Sequence, residues 1–323
     1  MKNKNLMLTI IFGSVLVMSV FGADPYSHLR FDNDPEDFRF AIVPDRTGGD
    51  FRGAFTNALE FVNLMRPEFV MTVGDLIPGL KGPKITRTQQ IELTNLVSKV
   101  DAPFFYVVGN HDIPRSRPQY PNNHEEALPI WKEFHGEKTY YSFMYKGVLI
   151  LCLDTMQGRD AAHADCKPQI PMLSDQYDWI RKELADHAEA RWTLIFMHQP
   201  AVWNTPEWRA LEDKELLNRK YTVFAGDWHQ YLYAKRNGHD YYVLSVAGGG
   251  SANAKAQGLP DAQKLLGSEW GEFDHITWVT MQKDGPHVVN LRLDGYLRGD
   301  YLNQSTTLAP QKKKTKLDLE PKK

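Results

Sequence analysis

Beyond its first 22 residues the sequence lacks any apolar stretch long enough to cross a bilayer, so the mature chain is expected to be soluble. The one long apolar run, 6–21, follows two lysines and ends at the small Gly22. This layout is typical of a secretory signal peptide that is cut before Ala23. We predict a signal peptide over 1–22 and a mature chain that is periplasmic or secreted. An uncleaved membrane anchor is the alternative, because roughly 17 apolar residues suffice to span a bilayer.

Positive charge is not in excess. The formal net charge is −2, and it becomes −4 without Lys2 and Lys4 of the leader. The segment from Lys312 to Lys323 holds six lysines and two acids, so the body that remains is near −8. Because a nucleic-acid-binding face depends on neutralising phosphates, this charge argues against a broad nucleic-acid surface. The Lys-rich tail, 301–323, has no apolar period and is predicted to be flexible.

The sequence also lacks the motifs of two other enzyme classes. It has no G-x-S-x-G, the nucleophile elbow of acyl hydrolases, and no G-x-x-x-x-G-K-[ST], the phosphate loop of P-loop proteins. Its 23 Gly and 19 Pro follow no period, which excludes collagen-like and low-complexity chains. The 16 Phe, 14 Tyr and 8 Trp supply the large apolar groups of a packed core, so disorder is a poor description.

Cysteine is scarce, since only Cys152 and Cys166 occur. In an oxidising compartment they could form one bridge that closes a loop of about 15 residues and contributes roughly 3 kcal/mol. The alternative is that Cys152, which lies in an apolar run, is a buried free thiol. The sequence leaves both open.

Short apolar runs rich in β-branched and aromatic residues predict buried strands. These runs cover 38–43, 69–73, 104–108, 148–153, 193–197, 221–225 and 241–246. Helical spacing occurs over 54–65, and again over 177–184 after Ser174, which we expect to be the N-cap. Alternating strands and helices predict an α/β fold. Because no repeat or linker interrupts the body, we predict one domain over 23–300.

Polar residues that suit divalent metals follow five of the predicted strands. They are Asp45, Asp75, Asn110 with His111, His198, and Asp227 with His229. Carboxylate, amide and imidazole groups bind Zn, Mn and Fe, and ligands of open α/β sheets bind outside the carboxyl ends of the strands. A lone Asp in such a place is usually a turn or cap residue, and a lone His is usually a surface residue. Five such clusters together predict a metal site.

The order of these motifs resembles that of the calcineurin-like metallophosphoesterase family: D-x-H, G-D-x-x-D, G-N-H-[DE], a His, and G-H-x-H. The similarity covers roughly residues 38–250, and G-N-H-D at 109–112 fits without change. The resemblance implies a four-layer α/β/β/α sandwich with a two-metal site on one edge. It also implies hydrolysis of a small phosphate ester, a monoester or a diester, by metal-activated water.

The resemblance further assigns ligands, with Asp75 bridging two divalent ions. One ion would be bound by Asp45, Asp75 and His229, and the other by Asp75, Asn110, His198 and Asp227. His111 would stabilise charge or protonate the leaving group, and Asp112 is a candidate to hold its ring. Arg46, Asn110 and His111 would contact the substrate phosphate, although a surface position for Arg46 stays equally open.

Three positions depart from the family pattern. Thr47 replaces the His of D-x-H, Pro78 replaces the last residue of G-D-x-x-D, and Asp227 replaces the first His of G-H-x-H. Carboxylate or water in place of imidazole makes the ligand set harder, which favours Mn, Fe or Mg over Zn. We expect an active enzyme whose first ion is loosely held. The alternative is a catalytically weakened module that binds metal or phosphate on the same fold.

Other polar and aromatic residues receive simpler interpretations. Trp203 and Trp228 could stack on a substrate ring or pack in the wall of the site. The histidines outside the motifs, including His275, are expected mostly at the surface.

Overall fold

Two mixed β-sheets and five α-helices occur in the part of the chain that the structure describes. This computed structural model describes residues 34–47, 53–114, 123–157, 172–249, 270–271 and 274–293. All of them except Asp34 belong to the unit Pro35–Lys323. The predicted signal peptide, the Lys-rich tail and Cys166 lie outside the described residues. Within the described residues, no helix is both long and apolar enough to span a membrane.

The strands and helices alternate through the first two thirds of the chain. In order, the strands are β1 Phe38–Val43, β2 Phe69–Thr72, β3 Phe104–Phe105, β4 Tyr141–Tyr145, β5 Val148–Cys152, β6 Trp192–Phe196, β7 Tyr221–Ala225, β8 Tyr231–Arg236, β9 His239–Val243, β10 Trp270–Gly271, β11 His275–Gln282 and β12 Gly285–Arg292. The helices are α1 Ala54–Met65, α2 Pro83–Val97, α3 Asn123–His135, α4 Ser174–Asp186 and α5 Pro206–Asp213, with a 3-10 helix at Pro200–Asn204.

Parallel pairing brings the carboxyl ends of the central strands to one edge. The first sheet has the order β12-β11-β1-β2-β3, and the second has the order β10-β8-β9-β7-β6-β5-β4. Strands β1, β2 and β3 are parallel, as are β5, β6, β7 and β9. The chain after β9 pairs with the chain after β1 through a bridge between Val246 and Asp45. The carboxyl ends of the parallel strands in both sheets therefore meet at one edge of the sandwich.

Alternating side chains of the central strands build three apolar layers. Phe38, Phe40 and Ile42 of β1 pack between the sheets, against residues of β5, β6 and β7. Ala41 and Val43 of the same strand face α1 and α2. On the other side, α4 and α5 pack on the second sheet. The predicted four-layer α/β/β/α sandwich is thus confirmed.

The structure differs from the predicted elements at several points. Strand β3 ends at Phe105 rather than at 108, because the N–H of Val107 bonds to the Thr72 hydroxyl (2.8 Å) instead of a neighbouring strand. Helix α4 begins at Ser174, so Leu173 is the N-cap and the predicted serine cap is wrong. Cys152 is a buried free cysteine. Strands β4, β8, β10, β11 and β12 and helices α2, α3 and α5 were not predicted.

The expectation that the remaining histidines lie mostly at the surface fails for His275. This residue is fully buried at the start of β11, and its Nε2 accepts a hydrogen bond from the Ser245 N–H (3.2 Å). Burial lowers its pKa to about 3, so the folded protein holds it neutral.

Candidate metal centre

The loops that follow the parallel strands bring the predicted donors together around His198. Its Nε2 lies 3.1 Å from Asn110 Oδ1, 3.3 Å from Asp75 Oδ2 and 3.5 Å from Asp227 Oδ1. These four donors follow β3, β2, β6 and β7, and 123 positions of sequence separate Asp75 from His198. The structure therefore places the four donors of the predicted second ion in one cluster.

A second group of donors adjoins this cluster. His229 Nε2 lies 3.1 Å from Asp45 Oδ2. Asp45, Asp75 and His198 each offer one ligand atom, and these three atoms lie within 4.8 Å of one another. All three residues are at most 1% exposed. Asp45, Asp75 and His229 are the donors predicted for the first ion, so both predicted sets share one edge of the fold.

Three of these residues have unusual backbone geometry. Asp75, Asp227 and His229 have φ values of 59°, 68° and 55°, in the left-handed region. Such a conformation costs of the order of 1–3 kcal/mol for a non-glycine residue and concentrates at functional sites. The fold therefore holds these side chains in place at the expense of local strain.

The His198 cluster contains an excess of hydrogen-bond acceptors. His198 Nδ1 lies 2.7 Å from the carbonyl oxygen of Val73. Since a carbonyl oxygen only accepts, Nδ1 carries a proton, and the neutral ring directs the lone pair of Nε2 towards Asn110, Asp75 and Asp227. Four acceptors at 3.1–3.5 Å need a cation or an additional proton between them. The arrangement thus fits a divalent ion.

The pKa values of His198 and Asp75 are shifted by the charged groups that lie close together in this cluster. Burial lowers the pKa of His198. The carboxylates of Asp75 and Asp227 together raise this pKa by more than burial lowers it, so the pKa stands well above the ordinary value. Burial raises the pKa of Asp75, but the charges of His198 and His111 and the hydrogen bonds to both residues together outweigh burial and leave that pKa lowered. In the absence of a cation, a proton on His198 compensates the carboxylates.

Thr47 orients Asp45. The Thr47 N–H and hydroxyl both donate to Asp45 Oδ1, at 2.7 and 2.9 Å. Among the described residues, the other oxygen, Oδ2, is buried and has no hydrogen-bond partner; it faces the ring of His229. A buried carboxylate oxygen without a hydrogen bond suits a metal ligand. Thr47 therefore orients Asp45, a predicted ligand, and stands at the position where the family pattern has a ligating His.

His111 is held by the carbonyl of Pro78 and the carboxylate of Asp75, not by Asp112. Its Nδ1 lies 2.6 Å from the Pro78 carbonyl oxygen, and its N–H donates to Asp75 Oδ1 (2.7 Å). Asp112 Oδ2 instead accepts the N–H groups of Asp75 (2.9 Å) and Gly109 (2.8 Å). The expected contact between Asp112 and the His111 ring is therefore wrong, because the carboxylate braces the two loops that carry the ligands. Burial and then the charge of Asp75 raise the pKa of Asp112 to about 8.

The side chain of Arg46 contacts helices rather than the donor cluster. Its Nη2 lies 2.7 Å from Glu92 Oε1 in α2, and its guanidinium lies 4.9 Å from the Phe55 ring centre in α1. Arg46 is 6% exposed, so the alternative of a surface position is wrong, and in this structure Glu92 and Phe55 engage the guanidinium. A contact with the substrate phosphate stays a prediction. Trp203 packs in the core against Tyr241, whereas Trp228 is partly buried beside Asp227.

Several features of the site had no recognisable signal in the sequence. Gln199 is 2% exposed and lies beside Asp227, with Nε2 3.5 Å from Oδ1. Gly109 is the first residue of the G-N-H-D motif, but that motif did not indicate its close approach to Asp75: a Cβ atom at Gly109 would lie 2.1 Å from Asp75 Oδ1. The carbonyls of Val73 and Pro78 are backbone groups, so the residue types at these positions do not indicate that they orient His198 and His111. Only the position of Gln199, directly after His198, could have drawn attention to it.

Comparison with known proteins agrees with this geometry. A model of the calcineurin-like phosphoesterase family matches residues 47–231. The chain is 26% identical over 173 residues to the serine/threonine-protein phosphatase CPPED1 of Rattus norvegicus. That alignment covers 51% of this chain and 50% of the relative, so the chain aligns with about half of that protein's length.

Solved structures with the same fold are more distant in sequence. PhoD has a TM-score of 0.61 at 12% identity, covering 79% of this chain and 68% of that one. Purple acid phosphatase PPD1 from yellow lupin seeds has a TM-score of 0.58 at 15% identity, covering 81% and 52%. GAP50, the anchor in the inner membrane complex of Plasmodium, has a TM-score of 0.53 at 15% identity, covering 80% and 85%. Because the family model spans more than half of its residues, this chain belongs to the calcineurin-like phosphoesterase family.

Proposed function

We propose that this protein is a metal-dependent phosphoesterase that hydrolyses a small phosphate ester. The observation that carries the proposal is the convergence of Nε2 of His198 with Asn110, Asp75 and Asp227, at 3.1–3.5 Å. Together with Asp45 Oδ2, which lies 3.1 Å from His229 Nε2, these atoms form a converging set of donors that suits divalent cations.

Two divalent cations in this site would polarise phosphoryl oxygens and activate a water molecule for attack on phosphorus. The residues that would hold them are those of the two predicted sets. Oxygen donors outnumber imidazole donors, which favours Mn, Fe or Mg. The chain positions these donors through the hydroxyl of Thr47 and the carbonyl of Val73.

His111 supports the chemistry as an acid. Because Pro78 O accepts from Nδ1, the opposite nitrogen, Nε2, faces the site, 4.0 Å from Asp75 Oδ2. A protonated ring with that orientation would donate to the leaving oxygen of the ester. Asn110 would contact the phosphate as well as a cation. Arg46 would reach a phosphate only by leaving Glu92.

We also propose that the protein acts outside the cytoplasm, from the signal-peptide layout of residues 1–22. Phosphate esters found outside the cell then become candidate substrates. The name of the rat relative specifies protein substrates for that protein, and a phosphoserine peptide is therefore worth including among the esters tested.

The test combines metal content with turnover. Purified protein is stripped of metal, loaded with Mn²⁺, Fe²⁺, Mg²⁺ or Zn²⁺ in turn, and assayed on nitrophenyl phosphate and bis-nitrophenyl phosphate. We expect turnover that depends on the added cation and is lost in Asp75→Asn. Asp284→Asn changes an exposed carboxylate of the β11–β12 turn and serves as the control.

Two results would contradict the proposal. If no cation binds under any loading condition, the site is not a metal centre. If cations bind, but parent and Asp75→Asn show the same low background on every ester, the weakened binding module is the correct interpretation.

A further inference from the structure

A cavity of about 410 Å³ lies among β5, α3 and α4. Its volume falls within the roughly 300–1,000 Å³ of small-molecule pockets. Its wall includes Ile113, Leu128, Tyr140, Asp154, Met156 and Trp179. None of these residues belongs to the donor set described above.

The cavity shares two loops with the metal centre. Ile113 closes the loop that carries Asn110 and His111, since its N–H donates to the Gly109 carbonyl (3.2 Å). On the other side, Asp154 precedes Thr155, whose hydroxyl accepts the N–H of Gln199 (3.2 Å).

Strand order supports the same placement. Asp154 follows the carboxyl end of β5, and β5 is the parallel neighbour of β6, which is followed by His198. Asp154 and His198 therefore leave adjacent strands at the same edge of the sheet. Through Asp154, the cavity therefore reaches the same edge of the sheet as the metal centre.

The wall presents an aromatic pair. The rings of Tyr140 and Trp179 have centroids 4.9 Å apart and planes at 56°. Both side chains are partly exposed, so ring surface faces the opening. Such rings bind flat groups by stacking, and the aliphatic side chains of Leu128 and Met156 add apolar contact.

The wall of the cavity contains two lysines and two acidic residues. Lys132 and Lys138 line the cavity together with Glu137 and Asp154, and Lys132 pairs with Glu137 at 3.7 Å. A pocket for a strongly anionic group would carry an excess of cations. The balance favours an uncharged polar occupant.

The Asp154 loop is rigidly held. Buried Gln176 accepts the N–H of Asp154 (2.8 Å) and donates to the carbonyl of the same residue (2.8 Å). The Asp154 carboxylate also accepts the N–H of Met156 (2.7 Å). A hydrogen-bonding wall fixed in this way suits recognition of one class of ligand.

We infer that this cavity binds the leaving alcohol of the substrate, and that this alcohol is uncharged and carries a planar ring. The inference rests on the proposed function, because it assumes that a phosphate ester is cleaved at the metal centre. A nucleoside is an alcohol of this class, whereas glycerol has no ring and serves as the comparison.

The test compares a nucleoside 5′-monophosphate with glycerol phosphate in the metal-loaded full chain. Loss of a stacking ring by alanine substitution weakens base binding about tenfold to a hundredfold. We therefore expect Trp179→Ala to lower kcat/KM for the nucleotide by about that factor and to change kcat/KM for glycerol phosphate by less than about threefold. Trp179→Phe keeps a ring and should retain most of the nucleotide activity.

Two further variants guard against effects on folding. Leu128→Trp fills the cavity from α3 and should raise KM for the nucleotide selectively, without removing a side chain from the core. Trp278→Ala removes a partly buried indole from β11, outside the cavity, and should affect both esters equally.

The results separate the cavity from the metal centre. If the parent cleaves both esters but Trp179→Ala and Leu128→Trp show no selective loss, the cavity assignment is overturned and the phosphoesterase stands. If the parent cleaves nitrophenyl phosphate but neither of these two esters, the cavity assignment is overturned and the phosphoesterase stands. If the parent cleaves no ester at all, the proposed function fails and the assignment fails with it. A preference for a phosphoserine peptide that is insensitive to both variants also overturns the planar-ring assignment.

Discussion

The Nδ1 atom of His111 lies 2.6 Å from the carbonyl oxygen of Pro78. In the family pattern, a side chain is expected to act at residue 78. In this protein the backbone carbonyl of Pro78 orients the His111 ring. The carbonyl fixes the ring orientation and the tautomer, so that Nε2 faces the site. The loss of a side-chain motif at residue 78 therefore does not imply the loss of an oriented His111.

From this orientation we predict that His111→Ala lowers kcat by about 10²–10⁴-fold. If Nε2 protonates the leaving oxygen, the deficit should be largest for alkyl phosphates and smallest for nitrophenyl phosphate, whose leaving group needs no proton. Bound metal per chain should stay at the parental level, because His111 is not a ligand in this assignment. An equal deficit on both esters, or a loss of metal, would contradict the acid role.

Gly109 is predicted to tolerate no side chain. A Cβ atom there would lie 2.1 Å from Asp75 Oδ1 and 2.5 Å from Asp75 N, so Gly109→Ala must displace the Asp75 carboxylate. We expect loss of bound metal and of activity, measured by metal analysis and turnover. Gly238→Ala is the control, since its Cβ meets nothing within 4 Å although φ is +83°. That variant should lose about 1 kcal/mol of stability and keep its metal. Normal metal content in Gly109→Ala would show that the loop readjusts.

Thr47 is predicted to govern one ion more than the other. Thr47→Val keeps the shape but removes the hydroxyl that donates to Asp45 Oδ1 at 2.9 Å. Loss of a hydrogen bond to a metal ligand commonly weakens metal binding by about 10–100-fold. Titration of metal-free protein should then show one weakened site beside one unchanged site, and Thr47→Ser should restore the parental isotherm. Uniform weakening at both sites would contradict the division of ligands.

His135 provides a pH-dependent contribution to stability away from the metal centre. Burial lowers its pKa from 6.5 to about 4, and its Nε2 lies 2.7 Å from Gln90 Oε1. Between those two pH values the unfolded chain binds a proton that the folded protein does not bind, so stability falls as the pH drops from 6.5 to 4. The full loss corresponds to about 3 kcal/mol.

Urea unfolding at pH 7 and pH 4.5 checks this sign. His135→Gln should reduce the difference in unfolding free energy between the two pH values, because the other titrating groups remain. An unchanged difference would show that His135 does not contribute to the acid sensitivity.

The sequence allowed much of the site to be predicted because buried parallel strands are short apolar runs and their metal donors follow directly. Asp75 after β2 and His198 after β6 are both of this kind. Strand β11 was missed although it is one of the longest, and its first residue, His275, was wrongly expected at the surface. An imidazole at the start of a strand carries no signal of its burial, which depends on contact with Ser245, 30 positions away.

The partners of Arg46 and Asp112 in the structure were not evident from the sequence, for a related reason. Arg46 stands inside the first motif, yet its partner Glu92 lies 46 positions away in α2. Asp112 follows His111 directly, but its carboxylate binds backbone N–H groups of Asp75 and Gly109. Sequence proximity suggested a partner for each side chain, and the tertiary packing selected another.

Stability far from the metal centre should depend on Glu212. This residue is 3% exposed; it accepts from the Tyr241 hydroxyl (2.5 Å) and the Trp208 indole (3.1 Å), and pairs with Arg236 (2.7 Å). Glu212→Ala leaves the Arg236 guanidinium and the Trp208 indole N–H without their acceptor, so we expect a loss of about 3–5 kcal/mol in urea unfolding. The control is Glu133→Ala, which breaks an exposed pair with Arg87 and should leave the unfolding midpoint unchanged. If the folded Glu212→Ala protein is as stable as the parent, the hydrogen bonds and the ion pair of Glu212 make no net contribution to the free energy of unfolding.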